Sequence, residues 1–207
     1  MRYKSILSAL IVAGAVSAQS AVVTLNFDTL ITGDQPVGSN IATLTITDMG
    51  LDMVQFNLSH NATSASGQFI GELWFNLSPY TTMTPSGQTP SNKFGGFSQG
   101  MDTVQNAGLN FDGNQSFVTS NSGGGANRLK PGESVQFMIS GAGIDALDFL
   151  STAVPQGQNR TDVLAMIHVQ GIPGADSGKM AAVVPEPATL GAVAIGLLAL
   201  ARKRRRA

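Results

Sequence analysis

The stretch Ala21-Val-Val-Thr-Leu-Asn-Phe27 places apolar side chains at every second position. Successive side chains of a β-strand point to opposite faces, so Ala21, Val23, Leu25 and Phe27 would share one face while Thr24 and Asn26 share the other. The stretch therefore predicts a strand with one buried face.

The same alternation recurs along the chain. The further predicted strands carry apolar residues at 42, 44 and 46, at 54, 56 and 58, at 73, 75 and 77, at 135, 137 and 139, and at 163, 165, 167 and 169. No stretch before the C-terminal tail shows the sustained spacing of three and four that is typical of helices, and Asn, Gly, Ser and Thr clusters separate the strands. The pattern predicts an all-β fold, an antiparallel β-sandwich or jelly roll with one face of each sheet in water.

Residues 81–127 interrupt this order. They are dense in Gly, Ser, Asn and Gln and have few apolar anchors. Leu109 and Phe111 suggest one short strand, and the rest is predicted to be a long loop region of the domain.

The charges are unevenly distributed. The whole chain of 207 residues has a net charge of −1, but the body between Gln19 and Val184 has five cations against twelve acids. The basic residues at the two ends offset the negative charge of the body, so the net charge of the whole chain is close to zero. A nucleic-acid partner is excluded by this reasoning, because phosphates require a basic face.

The chain contains no cysteine. Disulfides, thiolate metal sites and cysteine nucleophiles are therefore excluded, and the domain must be held together by its own core. An exported bacterial protein fits this composition better than a disulfide-rich secreted domain.

The N-terminus has the layout of a secretory signal peptide. Arg2 and Lys4 precede an apolar stretch over residues 6–16, and Val16-Ser-Ala18 supplies small residues at the cleavage site. We predict that residues 1–18 form a signal helix, that the secretion machinery exports the chain, and that cleavage falls between Ala18 and Gln19.

The C-terminus combines three features in order. Pro185-Glu-Pro187 precedes the uncharged run Ala188–Ala201, and five cations follow at 202–206. As a helix, fourteen residues would span roughly 21 Å, which is short for a hydrocarbon core of about 30 Å. Under the positive-inside rule the cations would stay in the cytoplasm, which predicts a single transmembrane helix with the β domain outside.

This ordered trio behind a signal peptide resembles a PEP-CTERM sorting signal. The resemblance covers the segment 183–207. It implies that Pro185, Glu186 and Pro187 are recognised by an exosortase, a membrane-embedded processing enzyme. It further implies that residues 188–201 anchor the chain in the inner membrane and that residues 202–207 are the basic stop.

The resemblance also implies where the protein works. Members of the family occur mainly in Gram-negative bacteria that make exopolysaccharide, and their tails are removed before they pass to the cell surface. The expected arrangement is a signal peptide at 1–18, a β-sandwich ectodomain at 19–182 and the sorting segment. The expected location is the surface or extracellular matrix, reached through a transient stay in the inner membrane.

No enzyme signature emerges from the body, and we expect a non-enzymatic protein, structural or associated with exopolysaccharide. The alternative is a carbohydrate-binding module that uses Trp74, the sole tryptophan, with Tyr80 and the 81–127 region. The sequence favours a Trp74 that is covered by a neighbouring loop or by the second sheet over this exposed arrangement. A polysaccharide hydrolase would need two carboxylates facing each other across a cleft.

Metal and histidine sites are weakly indicated. Asn110, Asp112 and Asn114 place oxygen ligands at every second residue, which is similar to part of a calcium loop, although an Asp-Gly turn gives the same sequence. No other cofactor is expected. His60 and His168 have no catalytic or metal-binding partner nearby in the sequence, so we expect structural roles for both.

Overall fold

The computed structural model describes residues 20–157 and 161–184. Within these residues the chain forms twelve β-strands in two antiparallel sheets. The strands are β1 Val22–Phe27, β2 Thr29–Gly33, β3 Ala42–Asp48, β4 Met53–His60, β5 Phe69–Phe75, β6 Thr84–Thr89, β7 Phe94–Val104, β8 Leu109–Phe117, β9 Ser134–Ser140, β10 Val154–Pro155, β11 Val163–Gln170 and β12 Ser177–Val183. Short 3-10 helices cover Ser91–Lys93 and Ala146–Leu150, and a turn whose glycines have left-handed backbone angles covers Ser122–Gly125.

The two sheets pack face to face around one main core. The five-stranded sheet has the order β1-β3-β4-β9-β6, and the seven-stranded sheet has the order β10-β8-β5-β11-β12-β2 with β7 also paired to β8. Phe56 of the first sheet meets Phe75 of the second with ring centroids 5.0 Å apart. This arrangement confirms the prediction of an antiparallel β-sandwich.

The alternating sequence pattern sets the register of the first strands. Val23 pairs with Ile46, Leu25 with Leu44 and Phe27 with Ala42, so buried side chains stand opposite one another along the β1–β3 ladder. Each strand predicted from alternation is present in the structure. Leu77, predicted as part of β5, lies beyond the end of that strand but is still buried.

The region 81–127 differs from its prediction as a long loop. Most of it belongs to β6, β7 and β8. β7 is largely exposed and its pairing with β8 shifts register twice, between Phe94 and Phe97 and between Gln99 and Asp102. Such a strand is stabilised by its hydrogen-bond ladder more than by a buried face, so it carries no clear alternation of apolar residues.

The last strand, β12, has no counterpart in the predicted strands. It runs between β11 and β2 and ends at Val183, one residue beyond the predicted domain boundary at 182. The predicted signal peptide and transmembrane helix lie outside the described residues. Among the residues that the structure describes, no helix is both long and apolar enough to cross a membrane.

The seven-stranded sheet is partly covered on its outer face as well. β5 and β11 are buried on both faces for much of their length. A second apolar cluster lies here, formed by Trp74, Val104, Ala107, Leu109, Phe111, Ala153, Val163, Met166 and Ala181. A polar groove lies beside this cluster.

Candidate functional site

A row of three side chains, with a charged group at each end and an imidazole between them, crosses the centre of the seven-stranded sheet and is called the charged row below. His168 of β11 pairs with Glu72 of β5 on one side and with Lys179 of β12 on the other. Glu72 Oε2 lies 3.4 Å from His168 Nδ1. β5 and the consecutive strands β11 and β12, which follow it much later in the sequence, thus place an acid, an imidazole and an ammonium group at neighbouring register positions.

The imidazole of His168 has two partners at the same nitrogen. Its Nδ1 lies 3.3 Å from Gln170 Nε2 as well as 3.4 Å from the Glu72 carboxylate. When Nδ1 carries a proton it donates to Glu72, and when it does not it accepts from the Gln170 amide. The ring is therefore held by polar partners in either tautomer.

Trp74 forms the apolar wall beside this row. It is two residues from Glu72 on β5 and its ring centroid lies 6.4 Å from that of His168. Only 5% of Trp74 is exposed, because the second apolar cluster covers it. Of the two arrangements compatible with the sequence, the structure has the covered one.

The far side of the groove comes from the end of β7. Asp102, Thr103, Val104 and Gln105 line it opposite the charged row, and Asn114 of β8 completes it. The groove has a volume of about 310 Å³, within the range of roughly 300–1,000 Å³ that is usual for small-molecule sites. Its polar groups combine carboxylates, an ammonium, an imidazole, amides and a hydroxyl.

The structure does not bring Tyr80 to this groove. Tyr80 lies in the loop after β5, is 54% exposed, and does not line the groove with Trp74. The two aromatic residues therefore do not form the stacking platform that the carbohydrate-binding alternative required of them.

The residues of the predicted calcium loop lie along β8. Alternate residues of a strand are about 6.6 Å apart, so Asn110, Asp112 and Asn114 cannot converge on one cation. Asp112 instead accepts a hydrogen bond of 3.0 Å from the backbone N–H of Leu77. No group of three or more His, Asp or Glu residues within 20–157 and 161–184 is placed to hold a metal ion.

The other histidine, His60, is the last residue of β4 and belongs to the five-stranded sheet, away from the groove. His60 is buried, and its Nδ1 lies 3.1 Å from the carbonyl oxygen of Leu129. Burial lowers the pKa of His60, and this outweighs the hydrogen bond and the nearby Glu133 carboxylate, which raise it. The neutral ring has the structural role expected for it.

Sequence reasoning missed the charged row and the β7 side of the groove. Glu72, His168 and Lys179 come from strands whose mutual register the sequence does not reveal. Two of these residues could have been noticed in the sequence because they are polar residues inside apolar strands. Glu72 lies between Gly71 and Leu73, and His168 lies between Ile167 and Val169. Asp102 was missed because β7 was predicted as loop.

The sorting residues follow the last strand directly. Val183 pairs with Val163, and Val184 donates its N–H to Asp162 O at 2.7 Å. The predicted recognition residues Pro185, Glu186 and Pro187, and the predicted cleavage residues Ala18 and Gln19, lie outside the described residues.

Comparisons with known proteins identify this tail. Residues 183–206 match the PEP-CTERM protein-sorting motif, which confirms the resemblance seen in the sequence. The motif marks an exported protein that is sorted through a membrane-embedded exosortase and is held transiently at the membrane by its C-terminus.

The body is less clearly related to known proteins. A solved structure described as "the unique CBM" of Ruminiclostridium thermocellum has a TM-score of 0.31 and 15% sequence identity, covering 80% of this chain and 100% of that one. Similarity at this level carries no argument about ligand or function. No curated protein sequence matches the chain.

Proposed function

We propose that this chain is a non-enzymatic protein of the bacterial cell surface or extracellular matrix, delivered there by exosortase processing of its tail. The proposal rests on one relationship: the sorting motif begins at Val183, the final residue of β12. All the strands of the sandwich therefore precede Pro185. Removal of the chain from Pro185 onward would remove no residue of the described core.

Intact mass spectrometry of the released protein tests this proposal. We expect an N-terminus at Gln19 and a C-terminus near Pro187. A chain that still ends at Ala207 and stays in the membrane would contradict it. A Pro185→Ala, Pro187→Ala variant should remain unprocessed, while Pro173→Ala, a change in a loop of the folded domain, should be processed normally.

We further propose that the groove beside Trp74 binds a short segment of exopolysaccharide. Each hydroxyl of a sugar is both a donor and an acceptor, so it pairs well with a wall that mixes both kinds of group. The Glu72 and Asp102 carboxylates accept, the Lys179 ammonium donates, and the amides of Gln105 and Asn114 do both. Trp74 would offer the ligand little contact area, since only 5% of it is exposed.

A glycan array carrying bacterial exopolysaccharide fragments tests the groove. Lys179→Met and Glu72→Gln should each weaken binding by about tenfold, because losing one charged hydrogen-bond partner costs ~1.5 kcal/mol. Thr45→Ala, on the outer face of the other sheet, is the matched control and should bind normally. Equal binding by all three variants would place the ligand elsewhere.

A reducing-end assay tests the non-enzymatic assignment. Glu72 and Asp102 line one groove, and paired carboxylates are what a glycoside hydrolase requires. We expect no new reducing ends when the protein is incubated with polysaccharides that it binds. Reducing ends that disappear in both Glu72→Gln and Asp102→Asn would instead identify a hydrolase.

A further inference from the structure

The sorting motif leaves the sandwich at one end, which we call the tail end. Val184 hydrogen bonds to Asp162 at the start of β11, and Val163 accepts a hydrogen bond of 2.7 Å from Ala153 just before β10. The exit of the tail, the beginning of β11 and the segment leading into β10 therefore lie side by side.

Other loops meet at the same end. The chain after β5 emerges here, because Ala165 near the start of β11 pairs with Phe75 at the end of β5. Ser78 then donates its N–H to Asp148 O at 3.0 Å, which brings the 3-10 helix Ala146–Leu150 to the tail end. The loop before that helix is joined to the β3–β4 hairpin by a hydrogen bond of 3.0 Å from Gly141 N to Asp52 O.

Exposed apolar side chains concentrate on these elements. Leu51 at the tip of the β3–β4 hairpin is 98% exposed, and Met49 beside it is also exposed. Leu147 and Leu150, three residues apart on the 3-10 helix, lie on the same helix face and are both exposed.

Four further exposed residues lie at the tail end. Tyr80 and Val184 are exposed in loops, and Val154 is exposed at the start of β10. Val22 is exposed where β1 begins beside the hairpin. Of the ten large apolar residues that are exposed in the described part of the chain, eight thus belong to the tail end. Soluble surfaces usually scatter such residues singly, and a concentration of them marks an interaction face.

Three of the aspartates at this end accept hydrogen bonds from backbone N–H groups. Asp48 accepts from Gly50 N at 2.8 Å, Asp52 from Gly143 N at 3.1 Å, and Asp145 from Leu147 N at 2.7 Å. These carboxylates close turns and cap the helix. The leucines of the hairpin and the helix project beyond them into solvent.

The tail limits how far this end can be from a membrane. Only three residues, Pro185, Glu186 and Pro187, separate Val184 from Ala188, where the uncharged run begins. Even a fully extended chain covers at most about 3.6 Å per residue, so over the four steps from Val184 to Ala188 the Cα of Val184 lies within roughly 14 Å of the point where the apolar run enters the bilayer. The headgroup layer accounts for about half of that distance.

We infer that the tail end is a bilayer-contacting face, in which the hairpin tip and the 3-10 helix insert their leucines among lipid headgroups while the precursor waits for processing. The inference rests on the proposed function, because it requires the tail to be held in the membrane. Zwitterionic lipid is the expected partner, since the fixed charges of the described residues at this end are aspartates and would be repelled by anionic lipid.

The absence of cysteine makes a clean test possible. The full-length precursor is reconstituted in phosphatidylcholine vesicles with single cysteines at Leu51→Cys or Leu147→Cys, each labelled with an environment-sensitive fluorophore. Val37→Cys, exposed at the opposite end, is the matched control, and Ala194→Cys in the apolar run reports insertion of the tail. The fluorescence is then measured again in vesicles that also contain phosphatidylcholine with a quencher on its acyl chain.

We expect blue-shifted emission and loss of most of the fluorescence at positions 51, 147 and 194, with little change at 37. Quenching at 194 without quenching at 51 and 147 would overturn the inference and leave the proposed function intact. A lack of quenching at 194 would overturn both. A response at 51 and 147 that appears only in membranes containing the processing enzyme would overturn the lipid assignment in favour of a protein partner.

Discussion

Lys93 Nζ lies 2.8 Å from Glu133 Oε2 and 2.9 Å from the carbonyl oxygen of Arg128, although only 7% of Lys93 is exposed. The ammonium thus links the start of β7 to the turn before β9. Burial by itself would raise the pKa of Glu133, but hydrogen bonds from Lys93 Nζ and from the Lys130 N–H outweigh it and hold that pKa below its ordinary value.

Replacing the acid of this pair should destabilise the domain. Glu133→Gln leaves the Lys93 ammonium without its counter-charge, and we expect a loss of about 2 kcal/mol in the free energy of unfolding. The loss is smaller than for a fully buried pair because the Glu133 side chain is 37% exposed. Urea unfolding at neutral pH measures it, and Asp176→Asn at an exposed loop should change almost nothing.

Stability should fall as the solution becomes acidic below pH 6.5. The pKa of buried His60 is lower in the folded state than its ordinary value of 6.5, so the unfolded chain takes up the proton first. The stabilisation is complete above that value and is lost as the pH falls toward the folded pKa. The free energy of unfolding should decline by at most about 1.4 kcal/mol per pH unit in this window.

Two glutamine variants separate this effect from other titrations. His60→Gln keeps a donor for the Leu129 carbonyl and should remove the decline, whereas His168→Gln, on the half-exposed groove, should retain it. Equal slopes in both variants between pH 6.5 and 5 would assign the effect to other groups.

Substitution of Trp74 should lower the stability of the domain. It is buried in the second apolar cluster, so Trp74→Ala should cost about 3–5 kcal/mol through the cavity that it leaves. Trp74→Phe should recover most of that loss. A Trp74→Ala protein that is as stable as the parent would indicate an exposed side chain, as a stacking platform would require.

Gly113 should tolerate no side chain. A Cβ at this position would lie 2.5 Å from the ring of Phe75 in the main core, and Gly113→Ala should lower stability by about 1–3 kcal/mol. Gly96→Ala is the matched control on β7, because its Cβ would come no closer than 3.8 Å to Ser116 Oγ. Thermal unfolding of the two variants should differ clearly in midpoint.

The position of the cut should decide whether the domain survives processing. A chain ending at Val184 keeps every residue of β12 and should unfold at the same temperature as one ending at Pro187. A chain ending at Lys179 loses buried Met180, Ala181 and Ala182 and should fail to fold cooperatively. Cooperative unfolding of the shorter chain would show that β12 is dispensable.

Strands with one buried face could be predicted from the sequence, because their alternation is imposed by the core. Val23, Leu25 and Phe27 are examples. β7 and β12 could not. The exposed β7 depends on ladder hydrogen bonds with β8, and β12 carries the small residues Gly178, Ala181 and Ala182 between two neighbours.

The groove, like the strands, could be predicted from the sequence only in part. Trp74 and His168 could be singled out as unusual residues on their strands, but the row that joins Glu72, His168 and Lys179 depends on the pairing of three strands. Strand register is a long-range property, and local sequence carries no record of it.

The sorting tail is attached to an interior strand, and this affects how the protein bears force. β12 is hydrogen bonded to β11 on one side and to β2 on the other. A pull directed away from the tail end runs along the strand, so it loads both ladders in shear and must rupture many hydrogen bonds together. An edge strand pulled sideways would instead unzip one bond at a time. The attachment point is thus mechanically strong against a pull on the tail.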